Sequence, residues 1–104
     1  MSQAANTLRG EEKFEIGSRQ FLLRPSFENL VAAEEEIGSL FALVERASEG
    51  ALTLSEMSAL IWHCIEADPR PSREEVGHAV LEKGLIDTTK PVRAILSQVL
   101  QGQL

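Results

Sequence analysis

The chain has 104 residues, enough to close one hydrophobic core without disulfides or metals and too few for two domains. Hydrophobic residues make up 43% and charged residues 25%, the proportions of a folding globular chain and not of a disordered one. With 10 Lys and Arg against 16 Asp and Glu the formal charge is −6, a surface that repels phosphate backbones and anionic lipid, so neither nucleic acid nor a membrane is an expected partner.

Met1 to Gly10 is small, polar and aperiodic, and it lacks the apolar stretch of a signal peptide. A disordered tail is expected over residues 1–10, ahead of a single domain over residues 11–101. No apolar run approaches the roughly 18 residues of a spanning helix. The lone Cys64 leaves no internal disulfide and no CxxC motif, which fits a reducing compartment, and the expected location is the cytoplasm.

From Lys13 to Leu23, apolar Phe14, Ile16, Phe21 and Leu23 alternate with polar residues on either side of Gly17-Ser18. That pattern predicts a β-hairpin with a tight turn. Two strands are marginal in water, so the hairpin's apolar face must lie on helices. Ser26 is a good N-cap for a first helix over Phe27 to Ile37, with Phe27, Leu30, Val31 and Ile37 as its apolar face and Gly38 as its stop. Ser39 opens a second helix that carries Leu40, Phe41, Leu43, Val44 and Ala47 and ends near Gly50.

Thr53 and Glu56 form a capping box ahead of a third helix, whose stripe is Leu54, Met57, Leu60, Ile61, Cys64 and Ile65. Asp68-Pro69-Arg70-Pro71 breaks it, because each proline bars the preceding residue from helical geometry. A second box, Ser72 with Glu75, opens a fourth helix through Val76, Ala79, Val80 and Lys83 to Gly84. Asp87, Thr88 or Thr89 would cap a last helix, with Pro91 in its first turn and Val92, Ile95, Leu96, Val99 and Leu100 as its stripe. The expected fold is α+β and mainly helical, an N-terminal β-hairpin packed on a bundle of about five short helices.

The residues that could carry chemistry do not converge. His63 and Cys64 are adjacent and point about 100° apart on a helix, and Cys64 falls on the apolar stripe, where a thiol is inert. His63 and His78 read as surface or rim residues. Glu34, Glu35 and Glu36 splay over three directions and read as a solvated helix face. No GxGxxG or GxxxxGK[ST] loop and no G-x-S-x-G elbow occurs. No enzymatic activity, cofactor or metal is expected.

What remains is surplus apolar surface. Trp62 lies off the main stripe of its helix, and Leu43 beside Val44 and Leu81 beside Val80 widen theirs. Phe41, Trp62, Ile65 and Leu81 are the candidate protein-binding residues on this ground. For Trp62, filling the edge of the core is the competing assignment.

The order of these features resembles the tail assembly chaperones of tailed phages and gene transfer agents, a family also described as tail tube components. There, a short hairpin runs into a helix of the form F-x-x-L-x-x-x-E-x-x-x-G, whose places Phe27, Leu30, Glu34 and Gly38 occupy here. An L-[ST]-x-x-x-[ILM] helix follows, represented by Leu54, Ser55 and Ala59-Leu60. An S-x-E-E-V opening comes next, at Ser72, Glu74, Glu75 and Val76, with a later Gly-Leu at Gly84-Leu85. The likeness runs from about Gly10 to Leu100. It departs from the pattern at Ala67-Asp68-Pro69-Arg70-Pro71, where relatives commonly carry a Gly-rich link.

The resemblance implies a protein that binds the long helical tape measure protein, helps recruit tail tube subunits and leaves before the particle is complete. Homo-oligomers are compatible with it. A permanent tail tube subunit is the alternative, and a small helical regulator is a further one, disfavoured because no helix is basic enough to read DNA.

Overall fold

The structure, a computed structural model, describes residues 12–102; the tail expected over residues 1–10 lies outside them. Among the described residues, strand β1 (Glu12–Ile16) and strand β2 (Arg19–Leu23) form the N-terminal hairpin, and five helices follow. These are α1 (Phe27–Ile37), α2 (Leu40–Ser48), α3 (Leu54–Cys64), α4 (Arg73–Lys83) and α5 (Leu85–Gln101). A two-residue strand, β3 (Ile65–Glu66), lies between α3 and α4. The protein is α+β and mainly helical.

The hairpin turns on two residues, with Ile16 opposite Arg19 and Phe14 opposite Phe21. Gly17 takes φ +63°, a left-handed conformation that only a residue without Cβ adopts freely. Phe14, Phe21 and Leu23 share the inward face and are buried, which sets the register, since a slip by one residue would turn all three to solvent.

One strand was not foreseen. Ile65, expected as the last member of the α3 stripe, leaves the helix with extended backbone and pairs with Leu23, so the sheet order is β1-β2-β3, all antiparallel. The Arg24 N–H donates to the Cys64 carbonyl at 2.7 Å and fastens β2 to the end of α3. The Asp68 to Pro71 segment ends helical geometry nearby, and the sheet edge supplies partners for backbone groups the helix no longer satisfies.

Helix α3 is the central element, with Met57, Leu60, Ile61 and Cys64 buried, α1 and α4 packed on it, and α5 joining α2, α3 and α4. Val76, Val80, Val92 and Ile95 complete the core with the hairpin's Phe14 and Leu23. Both expected capping boxes are present, at Thr53 with Glu56 and at Ser72 with Glu75.

Two expectations about helices need correction. Helix α5 starts at Leu85 instead of beyond Asp87 to Thr89, because Gly84 alone, at φ +92°, turns the chain out of α4 and into α5. Thr88 is fully buried inside the helix, its hydroxyl donating to the Gly84 carbonyl at 2.7 Å, and Pro91 sits deeper than the first turn. The apolar face of α1 is also rotated. Ala33 is its only fully buried residue and Leu30 and Ile37 are half-buried beside it, whereas Phe27 and Val31 face outward. Ala33 belongs to the core and α1 packs on α3, so the side of α1 that carries Ala33 is the inward one.

Candidate functional site

Phe27, at 79% exposure, and Phe41, at 66%, lie with Val31 and Leu100 around a single groove of about 370 Å³ between α1, α2 and the end of α5. Leu30, Leu40, Val44 and Val99 line its apolar interior, and Glu34 is its one charged lining residue. Phe27 occupies the first helical position after Ser26, whose hydroxyl accepts from the Asn29 N–H at 3.2 Å, and so it projects from the start of α1. The corner between α1 and α2 is closed from both sides. Gly38 turns at φ +91°, and the Glu34 carboxylate accepts from the Leu40 N–H at 3.0 Å, satisfying a free donor at the positive end of α2. Four large apolar side chains gathered on one depression are more than the single scattered hydrophobes ordinary on a soluble surface.

Two further depressions lie among the described residues. Leu54 and Leu81 flank one between α3 and α4, with Ala59 and Gly77 among its lining residues. Leu85 and Ile86 stand over the other, at the α4–α5 junction beside Leu52, Met57 and Val92. Ile86, at 83%, is the most exposed of the large hydrophobics among the described residues.

The four candidates from the sequence therefore separate. Phe41 lies on the α1–α2–α5 groove and Leu81 on the α3–α4 depression. Trp62 is half-buried and tied down, its Nε1–H donating to the Pro71 carbonyl at 2.9 Å with the Arg73 and Arg70 guanidiniums 4.0 and 4.6 Å from its ring centre. It fills the edge of the core as a cation–π platform. Ile65 is corrected as a binding residue: it is fully buried and offers no surface, because it leaves the end of α3 to pair with Leu23 of β2 and packs into the core. Phe27, Val31, Leu100 and Ile86 were missed as surface residues. A signal did exist for the first two, since Leu30, Ala33 and Ile37 make a second apolar stripe on the same helix at spacings of three and four.

The polar residues form a clamp. Glu36 accepts from the two terminal guanidinium nitrogens of Arg73, Nη1 and Nη2, at 2.8 Å and meets His63 Nε2 at 2.7 Å, joining α1, α3 and α4. Arg73 first and His63 second hold the Glu36 carboxyl down to about 2. His63 is therefore no rim residue: it is 7% exposed, and its Nδ1 has no hydrogen-bond partner among the described residues. His78 is exposed on α4. Cys64 is fully buried, and desolvation pushes its thiol up to about 12. Among the described residues no three His, Cys, Asp or Glu side chains gather as a metal site would require, and no helix is long and apolar enough to cross a membrane.

Over residues 9–102 the chain matches the protein family described as phage tail tube protein, GTA-gp10. No curated protein and no solved structure matches it.

Proposed function

The chain belongs to the phage tail tube protein family described as GTA-gp10, and from that premise we propose that it is a non-enzymatic assembly factor that binds a helical segment of the tape measure protein and helps bring tail tube subunits to it. The observation that carries this reading is the α1–α2–α5 groove, whose exposed Phe27, Val31, Phe41 and Leu100 offer anchors to an amphipathic helix. Each such side chain contributes about 1.5–3 kcal/mol on full burial, before the cost of association is set against it. The acidic surface keeps such a complex dispersed. Leu81, on the α3–α4 depression, is a second contact point for tube subunits.

The test is co-expression with a tape measure protein from the same source genome. The wild-type chain is expected to raise the soluble yield of that protein and to co-purify with it. Phe41→Asp is expected to weaken capture about tenfold or more, because it sets an unpaired charge in an apolar contact. Equal capture by wild type and variant would refute the groove's role.

The description of the family itself favours a second reading, a permanent tube subunit. One feature supports it: among the described residues β1 lies at an edge of the sheet, the position through which a strand can pair with a neighbouring copy. Its five residues and the two of β3 make a small wall for a tube. Finding the protein in stoichiometric amount in purified mature particles would favour the subunit over the factor that departs.

A further inference from the structure

We propose that the α1–α2–α5 groove receives the Leu85–Ile86 end of a second copy of this chain, so that copies associate head to tail. The two surfaces match in apolar character and in charge. The groove is an apolar depression with Glu34 in its lining. Exposed Glu28 and Glu35 flank Val31 on the outer side of α1, and exposed Glu45 stands one turn beyond Phe41 on α2. The opposite end is an apolar projection with a basic stem. Ile86 protrudes there, and Lys90 and Arg93 follow it at one and two turns along the same exposed face of α5. Asp87 is turned about 100° from Ile86, away from the middle of that face.

One molecule cannot make this contact with itself. At about 1.5 Å of rise per residue, Ile86 and Leu100 stand about 21 Å apart along one rigid helix. A partner must supply the projection. Symmetry then separates two arrangements. If two α5 helices stacked antiparallel about a two-fold axis, Arg93, midway between residues 86 and 100, would face its own copy, a like-charge juxtaposition. Head-to-tail docking avoids that clash and sets Lys90 and Arg93 against the glutamates around the groove. Such a contact leaves one free projection and one free groove at the ends of every chain of copies, so growth continues until a ring closes or the supply of subunits ends.

The inference does not depend on the tape measure partner, since it concerns the purified chain alone. It does imply that self-association and capture of a foreign helix compete for one groove. Sedimentation velocity over a concentration series is expected to show wild-type species growing past the dimer, and high salt is expected to weaken them. Ile86→Asp and Phe41→Asp each remove one half of the contact at an exposed position, so both variants are expected to fold with wild-type circular dichroism and to associate at least about tenfold more weakly.

Mixing the two variants one to one supplies one intact projection and one intact groove. The mixture is expected to form a dimer and nothing larger. A wild-type chain that stays monomeric, one that stops at a closed dimer, a variant that assembles like wild type, or a mixture that stays monomeric would each overturn the proposal. Ile86→Asp also separates the two functions: it is expected to abolish self-association while leaving capture of the tape measure protein intact or improved.

Discussion

Glu36 and Cys64 show how far neighbours decide what a side chain does. In sequence Glu36 is one of three consecutive glutamates, and only the approach of α3 and α4 gives it Arg73 and His63. Its carboxyl sits at about 2 against an ordinary 4.5, so the folded state binds this proton less readily than the unfolded chain. The resulting stabilisation is fully present above pH 4.5 and is lost as pH falls through the folded value near 2. With the Glu36 side chain 39% exposed, solvent screening limits the contribution to about 1 kcal/mol or less. Glu36→Gln should therefore be less stable than wild type at neutral pH and should converge with it toward pH 2, in urea titrations followed by Trp62 fluorescence. Parallel curves across that range would refute the assignment. Cys64 makes the converse case, a reactive residue type silenced by its place in the core. With its thiol at about 12 it should resist disulfide reagents in the native chain at pH 8 and react fully in urea, and prompt labelling without denaturant would contradict its burial.

Among the elements, those specified by local chemistry were legible and those specified by a distant partner were not. The hairpin needed only alternation and a Gly17-Ser18 turn, and the two capping boxes needed only Thr53 with Glu56 and Ser72 with Glu75. Thr53→Ala and Ser72→Ala should each cost about 1 kcal/mol in chemical denaturation, and the double variant about the sum, since the boxes open different helices. Glu56 also holds Arg46 of α2 at 2.6 Å, so Glu56→Ala should cost more than Thr53→Ala; the reverse order would mean that this ion pair contributes nothing. Strand β3 could not be read, because two residues carry no period and their extended geometry comes from pairing with Leu22 and Leu23. The start of α5 was misplaced for a related reason. Asp87, Thr88 and Thr89 look like caps, yet Gly84 turns the chain within one residue and leaves Thr88 buried in the helix with its hydroxyl satisfied.

For the molecule as a whole, the sequence by itself determined the fold class, the order of the helices and the acidic exterior. It also pointed to surplus apolar surface as the feature on which the proposed function rests. These follow from periodicity, turn chemistry and composition, which are local or additive properties. Only the tertiary structure decided which apolar residues form the core and which remain outside. Phe27 and Val31 fit an inward stripe as well as Leu30 and Ile37 do, and the packing of α1 with Ala33 inward is what leaves them outside beside Phe41 and Leu100. Ile65, Trp62 and His63 moved the other way, into the sheet, under two guanidiniums and onto Glu36. A helix face is a choice among overlapping stripes, and burial is settled by the elements that arrive from elsewhere in the chain, so the groove could be read only after α1, α2 and α5 had met.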